Sequence, residues 1–181
     1  MSRNQPDLDK PDENLRLQPD MPPPIRMLGI GSAAGDDRAG LLVAQALEDT
    51  FDPGEISVST HDHPGARLVS LMRGAQLVVL VDAVRSGAVP GTLHRLEGQA
   101  VWAAVARYTC THGFGLAEAL RLAEKLGQIP RRLVLWGIET GTAAGGEVSS
   151  AVREALPELI KAVANEVNLA LSALHRGAAP A

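Results

Sequence analysis

From residue 25 onward the sequence predicts an α/β fold, a three-layer sandwich with a mostly parallel, twisted sheet of about five strands between helices. Three observations carry that expectation. Residues 77–81 read Leu-Val-Val-Leu-Val, and such a continuous apolar run suits a central strand covered on both faces. Residues 115–126 place Leu116, Leu120, Ala123 and Leu126 along one helical stripe. Strand-like and helix-like stretches take turns along the chain, which is the order that builds parallel sheets.

Residues 25–28 form a short apolar strand, followed by a loop holding Gly29, Gly31 and Gly35. Asp36 and Asp37 precede a helical pattern (Leu41, Leu42, Ala44, Leu47) that runs to about residue 51. Asp52-Pro53-Gly54 is a turn, and residues 55–60 alternate as a strand with Ile56 and Val58 on one face. Residues 66–73 make a short amphipathic helix through Leu68, Leu71 and Met72, and the strand at 76–81 ends on Asp82. After the Pro90-Gly91 turn, residues 92–96 alternate weakly, as an edge strand does. Residues 101–108 fit strand and helix equally. Gly127 caps the helix at 115–126 and Pro130 stops it. Residues 132–138 are another apolar strand. Residues 149–174 are helical, with Pro157 either a kink or the first turn of a second segment.

A length of 181 residues suits one domain. Residues 25–175 are expected to form it. Residues 1–24 hold half of the chain's 12 prolines and few large apolar groups, so they cannot offset their ordering entropy. They are expected to be a disordered tail, with Met21 as an alternative start, and residues 176–181 a disordered end. A net charge of -4 and an aromatic content of 3% argue against a basic nucleic-acid binder or a base-stacking platform. Cys110 is the single cysteine, which excludes an internal disulfide and a cysteine-built zinc site. No apolar run reaches the roughly 18 residues of a membrane span, and the polar N-terminus lacks the core of a signal peptide. A cytoplasmic protein without membrane contact is expected.

Open α/β sheets place their sites at the carboxyl ends of strands. That rule selects Asp36 and Asp37 after the first strand, then His61, Asp62 and His63 after the second. It also selects Asp82 at the end of the central strand and His112 before the helix at 115–126. Asp82 follows five apolar residues, and a carboxylate there is either paired structurally or used chemically. Acids at a helix start serve as caps, but one suffices, and a second adds repulsion that a cation relieves. Asp37, Asp82 and His112 together offer two carboxylates and an imidazole, a set that suits zinc or nickel better than calcium or magnesium.

Other readings carry less. Gly29-Ile30-Gly31 with Gly35 and Asp62 is a loose dinucleotide fingerprint, but the two acids stand where a pyrophosphate would bind. His61 and His63 share a strand face and could chelate an ion, although a solvated pair is the simpler reading. Cys110 with His112 lacks the oxyanion loop and third partner of a thiol protease. His94 and His175 carry no further signal.

The motifs resemble the maturation endopeptidases of nickel–iron hydrogenases over residues 26–167. That family opens with Gly-x-Gly-Asn and two acids before a helix, similar here to Gly29-Ile30-Gly31-Ser32, Asp36-Asp37 and Gly40. Its central strand ends in Val-Asp-Ala and a Pro-Gly-Thr turn follows, matching Val81-Asp82-Ala83 and Pro90-Gly91-Thr92. Cys110-Thr111-His112-Gly113-Phe114-Gly115-Leu116 resembles its histidine segment, and Gly137-Ile138-Glu139 the end of its last strand. Ser32 and Arg38 depart from the pattern, and the acid loop looks about one residue short. His61-Asp62-His63-Pro64-Gly65 replaces an Asp-Gly-Gly-Thr segment expected near the substrate. That change loosely resembles the subgroup serving NAD-reducing, bidirectional hydrogenases.

The resemblance implies an endopeptidase that removes the C-terminal extension of a hydrogenase large-subunit precursor after nickel insertion. It implies Asp37, Asp82 and His112 as metal-contacting and catalytic residues, with Asp36 the alternative to Asp37. The nickel would be the precursor's own; separately, a monomer is expected. Two other classes remain as expectations: a receiver-like signalling domain, which lacks its late-strand lysine here, and a precursor-binding chaperone that does not cut.

Overall fold

The computed structural model describes residues 23–107, 115–141 and 146–177. Among them, five strands form one sheet in the order β2-β1-β3-β5-β4. They are β1 (Ile25–Gly31), β2 (Ile56–Asp62), β3 (Leu77–Val84), β4 (Leu93–Glu97) and β5 (Arg132–Glu139). All neighbours pair in parallel except β4, which runs antiparallel to β5 at one edge. The helices are α1 (Ala39–Leu47), α2 (Arg67–Met72), α3 (Gln99–Arg107), α4 (Leu116–Lys125) and α5 (Ser150–His175). Of the segments expected to be disordered, 1–24 and 176–181, residues 1–22 and 178–181 lie outside the described residues.

Alternation along β3 divides the core into two layers. Leu77, Val79 and Val81 pack with Val43 and Ala44 of α1 and with Leu159 and Val163 of α5. Val78 and Leu80 face the other way, against Leu68 of α2, Val101 of α3 and Leu120 of α4. All twelve of these side chains are buried, so burial on both faces explains the unbroken apolar run.

Several element ends differ from expectation. β1 continues through Gly29 to Gly31, because pairing with β2 and a close-fitting helix stabilise a Gly-rich stretch that propensity alone ends. β3 runs past Asp82 to Val84 because β5 keeps pairing with it. β2 includes His61 and Asp62, which the sequence left in a loop. A 3-10 turn (Gly35–Arg38) takes up the two acids, and α1 stops at Leu47. Residues 99–107 are helical, which resolves the ambiguity there. α5 is one helix of 26 residues. Pro157 lies on its exposed face, so the carbonyl it leaves without a donor is open to water.

Two glycines set how α1 meets the sheet. A Cβ on Gly29 would lie 2.2 Å from the Gly40 carbonyl oxygen, and a Cβ on Gly40 would lie 2.1 Å from that of Ile30 and 2.3 Å from that of Val81. The helix backbone therefore rests directly on β1 and β3. At the other edge, Arg95 and Arg132 pair with buried Glu166 of α5 at 2.6 and 2.7 Å. Arg132 also pairs with Glu97 at 2.5 Å, which fixes β4 to β5. Gly40→Ala is expected to lower stability by about 2–3 kcal/mol, because both carbonyls that the methyl meets belong to rigid strands. Urea unfolding at constant slope measures it.

Candidate active site

Strand order reverses between β1 and β3, and α/β folds open a crevice at such a point. Pairing of β1 with β3 ends at Gly29 and Val81, although both strands continue. Past that point lies a cleft of about 1090 Å³, lined among others by Asp37, His63, Asp82, His94, Leu96 and Leu116.

The two neighbouring acids have opposite environments. Asp36 is buried and accepts hydrogen bonds from the Ser149 backbone N–H at 2.7 Å, the Ser149 hydroxyl at 3.0 Å and the Gly141 N–H at 3.3 Å. It joins the acid turn to the start of α5 instead of capping its own helix. Asp37 turns outward, with 43% of its side chain exposed, and its Oδ2 lies 3.8 Å from His63 Nε2.

Asp82 is half-buried, and Ala83 N–H donates to its Oδ1 at 2.8 Å. Burial pushes its carboxyl up to about 7, and the charge of Asp37 adds to the push. The Ala83 hydrogen bond and His63 oppose it more weakly.

His63 follows β2 with φ of 42°, a left-handed conformation that costs a non-glycine residue energy. Its Nδ1–H donates to Asp62 at 2.5 Å. That bond raises its pKa against some desolvation, and Asp37, Asp62 and Asp82 raise it further. His61 instead bonds Ser59 at 2.9 Å, and burial together with Arg67 lowers its pKa. The two histidines thus engage different partners.

His112 and Cys110 lie outside the described residues. Among the described residues, no three His, Cys, Asp or Glu side chains are close enough to hold an ion. Asp37 and Asp82 do share the cleft, and Val105 and Gly115, on either side of the histidine segment in sequence, also line it.

His94 carried no signal in the sequence, yet it lines the cleft and bonds buried Glu139 at 3.1 Å. One local signal was available: His94 and Leu96 alternate on the same strand face.

An α/β protein with an acid pair at its topological switch point is built for chemistry at the sheet's carboxyl edge. The family model for hydrogenase maturation proteases matches residues 41–166. The chain belongs to that family. It is similar to the hydrogenase expression/formation protein HupD of Thiocapsa roseopersicina, with 32% identity over 120 residues, 65% of this chain and 54% of that protein. HupD of Rhizobium leguminosarum bv. viciae is 27% identical over 171 residues, covering 90% and 85% of the two chains. The hydrogenase 2 maturation protease of Escherichia coli K12 is 28% identical over 117 residues, 63% of this chain and 71% of that one. The fold matches the hydrogenase maturating endopeptidase HybD of Escherichia coli with a TM-score of 0.72 at 22% identity, covering 81% of this chain and 93% of that one. Among the described residues, no helix is long and apolar enough to cross a membrane.

Two predictions follow from the acids. Asp36→Ala leaves buried donors at Ser149 and Gly141 unpaired and should cost about 2–3 kcal/mol, whereas Asp37→Ala should stay within about 0.5 kcal/mol. Thermal melts of both variants check the contrast. A raised Asp82 pKa means that the folded state binds more protons than the unfolded one between about pH 4 and 7, so wild-type stability falls across that range. Asp82→Asn escapes the loss. Its melting temperature should match wild type near pH 4 and lie clearly above it at pH 8.

Proposed function

We propose that the protein is a cytoplasmic endopeptidase that removes the C-terminal extension of a nickel–iron hydrogenase large-subunit precursor once nickel is in place. The observation that carries this reading is the convergence of Asp37 and Asp82 on one cleft in a chain of the maturation protease family. Both carboxylates can offer oxygen to the precursor's nickel, and His112 would add a nitrogen. Val105 and Gly115 at the cleft support that assignment for the segment between them. The metal belongs to the substrate and reports that insertion is complete. Holding it beside the cleft places the scissile bond next to the acids, and proximity then converts recognition into cleavage. The enzyme acts as a monomer in this reading.

Asp82 meets the cation only when ionised. Burial keeps it partly protonated near neutral pH, so nickel also supplies the charge that draws the proton off. The receiver-like alternative gains no support, because β5 ends in Glu139 where that chemistry needs a lysine.

Intact mass of the precursor after incubation, with and without nickel, tests the reading. Loss of a C-terminal peptide is expected only with nickel, and Asp82→Ala should slow it by at least about 100-fold while the protein stays folded. Undiminished processing by that variant would sink the assignment, and nickel-dependent binding without cleavage would indicate a chaperone. At limiting substrate, where the free enzyme's ionisation governs kcat/KM, the wild-type value should also rise from pH 6 to pH 8.

A further inference from the structure

Asp82, Gly137 and His94 form one row across three neighbouring strands. Asp82 pairs with Gly137 between β3 and β5, and Gly137 pairs with His94 between β5 and β4. Residues in register on adjacent strands project to the same face of a sheet. Here that face is the cleft's, and both Asp82 and His94 line it. Two strand spacings separate their backbones, about 10 Å. Gly137, between them, carries no side chain, and a Cβ there would lie 2.8 Å from Val84 Cγ1. The floor between acid and imidazole is therefore low and apolar. An extended peptide lying over it would have Asp82 on one side and His94 on the other.

His94 is held in place. Its Nε2 lies 3.1 Å from Glu139 Oε2, and Glu139 is only 2% exposed. Glu139 also accepts from the Ser86 hydroxyl at 2.7 Å, the Ser86 N–H at 2.8 Å and the Gly87 N–H at 2.9 Å. Burial pushes its carboxyl upward, but these bonds outweigh burial and hold it below the usual carboxylate range. An ionised carboxylate only accepts, so Nε2 carries the hydrogen and Nδ1 is left to exchange a proton. A base oriented by a buried acid is a recurrent arrangement for proton transfer. The strand row brings this one to the same cleft as Asp82.

We propose that His94, oriented by Glu139, is the acid–base group of the cleavage, an inference that rests on the endopeptidase reading above. Nδ1 takes a proton from the attacking water as the water oxygen bonds to the scissile carbonyl carbon. It returns that proton to the departing nitrogen as the C–N bond breaks. The ring ends as it began, and one water is consumed. His94 is then a catalytic residue, and Glu139 a positioning residue.

The test is single-turnover cleavage of the nickel-loaded large-subunit precursor from the source organism, read by intact mass. His94→Gln keeps an N–H that can reach Glu139 but has no nitrogen to exchange a proton. It should melt within about 2 °C of wild type. It should bind the precursor within about threefold and cut at least about 100-fold more slowly. Imidazole added to His94→Ala should restore a measurable part of the rate. Adding Glu139→Gln to the His94→Gln protein should cost no further rate, whereas a purely structural Glu139 costs the same in either background. Cleavage by His94→Gln within about threefold of wild type overturns the proposal and leaves the endopeptidase reading intact. A slow His94→Ala that imidazole does not rescue makes the residue structural and overturns it too. A wild-type protein that cuts neither loaded nor empty precursor overturns the endopeptidase reading, and this inference with it.

Discussion

The contact between the backbones of α1 and the sheet governs the geometry of the site. Gly29 and Gly40 let the helix approach β1 and β3 more closely than any side chain permits. That approach fixes the height of the acid turn above the strand ends. Ser32 N–H then donates to the Asp37 carbonyl at 3.2 Å, which draws the turn back onto the end of β1. Asp37 reaches the cleft because the helix behind it cannot stand further off. A Cβ at either glycine would lift the turn, and the carboxylates would no longer share one opening.

Asp36 and Asp37 show how one peptide unit separates structure from chemistry. Asp36 loses its hydration but gains three donors, two of them from Ser149. A carboxylate so partnered is a latch, and it carries the start of α5 to the sheet's active edge. Asp37 keeps much of its hydration and, among the described residues, no such set of donors, so its charge acts outward on Asp82 and His63. Among the described residues, Asp82 accepts one hydrogen bond, from the Ala83 N–H. It is the acid whose ionisation a neighbouring cation can change most.

The cleft has two differently built sides. Along β1 and β2 it carries Asp37 and His63, both partly solvated, with Asp62 bonded to His63 behind them. Along β5 and β4 a buried, fully partnered carboxylate holds an imidazole against an apolar floor. The Arg95, Arg132 and Glu166 network stabilises that second side from the opposite face of the sheet. Alternation along β4 sends Arg95 one way and His94 the other, so one short edge strand serves both layers.

The layers, and the placing of Asp37 and Asp82 at strand ends, were legible in the chain alone. The apolar run from Leu77 to Val81 and the helical stripe through Leu116 and Leu120 are local periodicities, set by which side chains must leave water. Asp82 was legible because a carboxylate ending such a run is conspicuous, and Asp37 because the acids precede a helix. The division of labour between Asp36 and Asp37 was not legible, since it depends on Ser149, more than a hundred positions away along the chain. Nor was the row of Asp82, Gly137 and His94, which exists only through strand register. Register arises from pairing between distant segments, and no window of sequence contains it. Tertiary structure alone decided that the edge strand lies antiparallel against β5 and faces its histidine into the cleft. The backbone hydrogen bonds that fix this pairing are the same whichever side chain they deliver.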